Sequence, residues 1–75
     1  MIASNSAIIA ELDAINLYEE MAAMAKNKDI KTILLDVAKE EKEHVGEFQT
    51  LLLRYDKQQV EEIEKGKMEV EELIG

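Results

Sequence analysis

The chain has no cysteine, no proline and no tryptophan, and only three glycines among its 75 residues. Without cysteine there is neither a disulfide framework nor a thiolate metal site, and a reducing cytoplasm is the expected setting. Without proline, and with so little glycine, little in the chain interrupts long helices. Basic residues are also scarce: nine against seventeen acidic ones, for a net charge of −8. Nucleic-acid binding needs concentrated Lys and Arg to neutralise phosphates, so that class is excluded. An acidic surface favours cations and basic partners instead. No apolar run approaches the roughly 20 residues that span a bilayer. No basic segment leads into an apolar core at the start, as a signal peptide would. A soluble, cytoplasmic protein is expected. So short a chain buries a modest fraction of its surface and needs a metal, disulfides or further subunits for stability. With disulfides gone, metal and oligomerisation remain.

What is present reads as helix. The first segment runs from about Ser6 to Lys26, with Ser4 or Asn5 as N-cap. Asn27, Lys28 and Asp29 form a polar turn in which Asp29 caps the next helix. The second segment runs from about Ile30 to Arg54, with Asp36 early and Arg54 late, as the helix dipole prefers. A third, from about Lys57 to Ile74, carries a thin stripe of Val60, Ile63, Val70 and Ile74 among many glutamates. Gly66 in its middle costs about 1 kcal/mol relative to alanine, so a bend or frayed stretch is expected there. The expected fold is all-α and a single domain over 1–75. It consists of an antiparallel two-helix hairpin (about 6–54) and a C-terminal tail helix (about 57–74). A lone hairpin leaves half its apolar seam bare, so two hairpins are expected to pair about a two-fold axis as a four-helix bundle.

The seams are not purely apolar. Ile30, Ile33, Leu34, Val37, Glu41, His44, Phe48, Leu51, Leu52 and Tyr55 step by three and four residues, which keeps them on one helix face. Ile8, Glu11, Ile15, Tyr18 and Ala22 do the same upstream. Carboxylates and an imidazole on an inward face are costly unless something pairs with them. The plainest alternative is a polar pair that fixes register in a coiled-coil seam. Glu11 on the facing seam favours a metal over that reading. Ferritin-like di-metal bundles take one Glu from each of two helices and a Glu-x-x-His from each of the other two. This chain carries half of that set, and a dimer of hairpins completes it. The charges close: Glu11 and Glu41 from two chains contribute −4 and two divalent ions +4. Apart from metal the carboxylates repel, so metal binding and assembly are expected to be coupled. Oxygen and imidazole donors suit iron and manganese, with zinc a competent substitute. Two irons about 3.5–4 Å apart form a two-metal site able to reduce dioxygen. Met21 and Met24 read as packing residues, and Glu19, Glu20, Glu40, Glu43 and Glu47 as solvated outward charges.

The stretch from Ala7 to Phe48, with AIIAELDAINLYEEMA and ILLDVAKEEKEHVGEF, resembles the encapsulated ferritins. It is similar in particular to the ferritin-like domain fused ahead of an encapsulin shell protein. Glu11, Tyr18, Glu41 and His44 have that family's spacing. The resemblance implies that Glu11, Glu41 and His44 are both metal ligands and catalytic residues, with one iron per chain. Glu11 would bridge two irons across the dimer axis, Glu41 and His44 would together ligate each iron, and Tyr18 would stand beside them. It further implies ferroxidase activity, a homodimer that builds a ring-like decamer, and work inside an encapsulin nanocompartment whose shell stores the mineral. One departure stands out. The family carries metal-access carboxylates one residue before and two after the bridging Glu. Here those positions hold Ala10 and Asp13, and Leu17 replaces a bulky aromatic, so Asp13 alone is left for metal access. The abrupt ends of the chain fit a piece of a larger protein. Three rival readings are a structural oligomerisation or cargo module, a metal buffer that does not oxidise, and a rubrerythrin-like peroxide reductase.

Overall fold

Asn27 decides where the chain reverses. Its backbone is extended (φ −80°, ψ 122°) and its side-chain oxygen accepts from the N–H groups of Asp29 (2.9 Å) and Ile30 (3.1 Å). Two donors at the start of the second helix are thereby satisfied. The computed structural model describes residues 2–75 and contains three helices: α1 (Ile2–Met24), α2 (Lys28–Tyr55) and α3 (Lys57–Ile74). The hairpin and tail helix expected from the sequence are present, with differences at the ends.

Asp29 is not the cap of α2. It lies within the first turn, where its carboxylate meets the positive end of the helix dipole, and Arg54 occupies the last turn. Nor do Ser4 and Asn5 cap α1, which runs through them from Ile2. Ser4 is buried, and it continues the inward spacing of Ala7, Ile8 and Glu11. Packing against α2 therefore outweighs the capping preference of serine. At its other end α1 closes with a tight turn, the Ala25 N–H bonding to the Ala22 carbonyl at 3.3 Å.

Asp56 both ends α2 and begins α3. Its N–H donates to the Leu52 carbonyl (2.9 Å) while its Oδ1 accepts from the Gln59 N–H (3.0 Å). The helix α3 then continues unbroken through Gly66, contrary to the bend expected there. Lys65–Glu62 (3.2 Å), just before the glycine, and Lys67–Glu64 (3.1 Å), which spans it, are i, i+3 pairs that help hold the turn. Gly75, the C-cap, has φ of 81° and returns its N–H to the Glu71 carbonyl, a left-handed cap for which glycine is suited. The first part of α3 packs against the end of α2 and faces the start of α1 across a gap. A groove of about 490 Å³ remains there, lined by Asn5, Ile8, Ile9, Gln49, Gln59 and Ile63 among others.

The molecule measures 45 × 32 × 14 Å. The long dimension is that of α2, about 42 Å at 1.5 Å per residue. The short one is little more than a helix diameter, so the fold is one layer thick. Among the described residues the buried apolar ones are Ile15, Ala22, Ala38 and Leu52, and no large side chain is fully enclosed. The stripe read along α2 is split in two. Leu34, Val37, Phe48 and Leu52 turn toward α1, while Ile30, Ile33, Leu51 and Tyr55 are exposed. A stripe wide enough for two neighbours is meeting only one. Leu17, Met21 and Met24 on α1 are exposed as well. None of the described helices is long and apolar enough to cross a membrane.

Candidate metal centre

Glu11 occupies the middle of α1, between the inward-facing Ile8 and Ile15. Glu41 occupies the middle of α2, between the inward-facing Ala38 and Val45. The hairpin turn sets these two points opposite each other. His44, one turn beyond Glu41, lies at the edge of the seam. At 100° per residue it shares the exposed flank of Ile33, Leu51 and Tyr55 to within about 40°. The side chains of Glu11 and Glu41 are 23% and 20% exposed, and that of His44 is 46% exposed.

One ligating atom of each of the three residues can be chosen so that all lie within 4.8 Å of one another. His44 Nδ1 is 3.4 Å from Glu41 Oε2 and 3.5 Å from Glu11 Oε2. In the tautomer with a proton on Nδ1, that N–H donates to Glu41. At 3.4 Å the bond is long, well beyond the usual 2.7–3.2 Å. The contact to Glu11 is looser still: Glu11 Oε2 is buried and has no hydrogen-bond partner. A buried, unpartnered carboxylate oxygen beside a second carboxylate is unfavourable as a purely structural element. A divalent cation resolves it. Carboxylate oxygen and imidazole nitrogen bind such ions at about 2.0–2.2 Å. The residues therefore fit a metal by donor type, spacing and the orphaned oxygen. Three donors do not fill the coordination of an iron, manganese or zinc ion, and His44 leaves the cluster open toward the exposed flank.

The remaining residues singled out in the sequence fall in different places. Tyr18 is half-buried on the α1 seam, and its hydroxyl makes no hydrogen bond among the described residues. Asp13 is exposed and lies about 160° around α1 from Glu11, away from the cluster. Glu20, Glu40, Glu43 and Glu47 are exposed, as their spacing predicts. Glu19 is exposed as well, and it accepts from Lys42 Nζ at 3.0 Å across the hairpin. Lys42 carried no signal by itself in the sequence. Only the register of two antiparallel helices brings it to Glu19.

A family model described as Rubrerythrin matches residues 5–74. The chain is 61% identical over 69 residues to a "Ferritin-like-encapsulin shell fusion protein" of Pyrococcus furiosus, covering 92% of this chain and 20% of that protein. It is 48% identical over 52 residues to the "Encapsulin nanocompartment cargo protein EncC" of Myxococcus xanthus, covering 69% of this chain and 40% of that one. The crystal structure of the encapsulated ferritin domain from Pyrococcus furiosus superposes with a TM-score of 0.97 at 57% identity. That match covers the whole of this chain and 76% of the other. The chain thus spans about a fifth of the fusion protein and two fifths of the cargo protein.

Proposed function

Since this chain belongs to the rubrerythrin family, and its likeness to the encapsulated ferritins runs along its whole length, we propose that it is a ferroxidase. Iron(II) is oxidised to iron(III), with dioxygen as electron acceptor, at a di-iron site shared between two copies. The observation that carries this reading is the orphaned, buried Glu11 Oε2 beside Glu41 and His44. Half of a ferritin-like ligand set is assembled on one chain. The other half comes from a second hairpin, which also covers the bare flank of Ile33, Leu51 and Tyr55. The pair forms a four-helix bundle.

In that arrangement Glu11 would be shared between the two irons, and Glu41 and His44 would together hold the one nearer their own chain. Each pair of irons would supply two electrons, so four iron(II) ions and four protons would reduce one dioxygen to two waters. Anionic oxygens favour the ferric product by compensating its added charge. Tyr18, two turns from Glu11 on the same seam, would stand beside the ligand set, and Asp13, on the other side of α1, would bear on iron access only at the outer surface. Manganese and zinc compete for the same donors. The names of the two relatives carry the setting. We place the chain inside an encapsulin compartment, as a homodimer built into a ring-like decamer that feeds ferric iron to the shell.

Anaerobic titration with iron(II), followed by air, tests the reading when ferric absorbance and assembly state are followed together. Fast oxidation saturating near one iron per chain, with metal-promoted dimerisation, is expected. Assembly that ignores iron would leave a structural module with Glu41 and His44 as register pins. Binding without oxidation would leave a metal buffer. The family match favours one second reading, peroxide reduction at the same residues. Faster oxidation by hydrogen peroxide than by dioxygen would select it.

A further inference from the structure

The inward stripe of α1 offers few large knobs: beside Ile8, Ile15 and Tyr18 it carries the small Ser4, Ala7, Ala14 and Ala22. Small side chains resist sliding poorly, because they offer few knobs to lodge between the residues opposite. A slip of one helical turn is about 5.4 Å. That displacement exceeds the 4.8 Å within which the ligating atoms of Glu11, Glu41 and His44 lie, so the site depends on register. Among the described residues, polar side chains meet across the hairpin at two places. One is the loose His44–Glu11 contact within the site, and the other is Lys42 Nζ to Glu19 Oε2 at 3.0 Å. The other lysine–glutamate pairs lie within α3.

We infer that Lys42 and Glu19 are positioning residues that lock α1 against α2 and so hold Glu11 opposite Glu41 and His44. The inference rests on the metal-binding reading of that site. Lys42 follows Glu41 directly, yet points about 160° away from His44 around α2. The brace therefore lies on the opposite face of the layer and stays clear of whatever covers the His44 flank. An exposed pair of this kind biases an equilibrium by up to about 5-fold. At a site fed by two hairpins the bias compounds, to on the order of 25-fold.

A plain field effect predicts something different. Removing the lysine charge near an acidic site would strengthen cation binding, and removing the glutamate would weaken it. A positioning role weakens binding in both. The test is anaerobic cobalt(II) titration, following the visible absorption of the bound ion, for the wild type, K42Q, E19Q and the swap E19K/K42E, with helix content monitored by circular dichroism. Both single variants are expected to bind cobalt several-fold more weakly at unchanged helix content. The swap, which preserves net charge, recovers most of the loss, and added salt narrows the differences. K42Q binding as tightly as the wild type, or tighter, overturns the inference, as does a swap no better than the single variants. A wild type that takes up no cobalt defeats the metal-site reading itself and the inference with it.

Discussion

Glu11 pulls in two directions. With metal absent, its Oε2 is a buried acceptor without a partner, and such groups destabilise by about 1–3 kcal/mol. In the proposed metal site the same atom is a ligand. Glu11→Leu should therefore raise the melting temperature of the metal-free protein while abolishing any rise on adding iron or zinc. Thermal scans with and without a chelator read both effects. A metal-free melting temperature that falls would show that the carboxylate has a partner after all. Glu11→Ala, Glu41→Ala and His44→Ala should each slow iron oxidation at least 10-fold, since even groups outside the ligand set affect metal sites by about 10–100-fold. Stopped-flow absorbance in air checks this, and a Glu41→Ala protein that oxidises iron at the wild-type rate would move the site elsewhere.

The caps carry their own tests at the level of the helix. Asn27→Ala removes the acceptor for two N–H groups and should cost about 0.5–2 kcal/mol. That is a fall of several degrees in melting temperature for a domain of this size. Asp29→Ala should cost less, because only its interaction with the dipole is lost. If the two losses were reversed, Asp29 would be the cap. Gly66→Ala should stabilise α3 by about 0.5–1 kcal/mol, since nothing lies within 4 Å of an added Cβ. Denaturant melts settle it, and a loss of stability would mean that α3 packs against something at that point. The helices themselves were legible in the sequence, because apolar residues recurring at three- and four-residue steps line up only when the backbone is helical. Their ends were less so. Asn27 and Asp29 are both good caps, and where α1 stops chooses between them. Ser4 looks like a cap locally but is claimed by the seam. Glu11, Glu41 and His44 were legible as charges out of place. The Glu19–Lys42 pair was not, because it depends on how two helices are set against each other.

For the whole molecule, thinness governs behaviour. A layer 14 Å thick, with Ile33, Leu51 and Tyr55 bare on one face, has little interior, and the proposed partner is expected to supply much of its stability. Its melting temperature should rise with protein concentration, as for any fold completed by a partner. Metal at about 100 times its dissociation constant should add about 2.7 kcal/mol, lost again on chelation. Calorimetry over a hundredfold range of concentration checks both, and a constant melting temperature would show a self-sufficient monomer. The width of the α2 stripe hinted at two neighbours, but the sequence does not say which residues serve which one.

A layer without an inside also changes the order of the folding reaction. Local helix and hairpin formation is fast, microseconds or less for each helix. If two hairpins pair as proposed, the step that buries most apolar surface is an encounter between chains, second order in protein. Dilution should slow it in proportion, and crowding many copies into a small volume should speed it. Any device that holds copies close together, whether covalent attachment to a common scaffold or confinement within walls, acts on this chain as a folding catalyst.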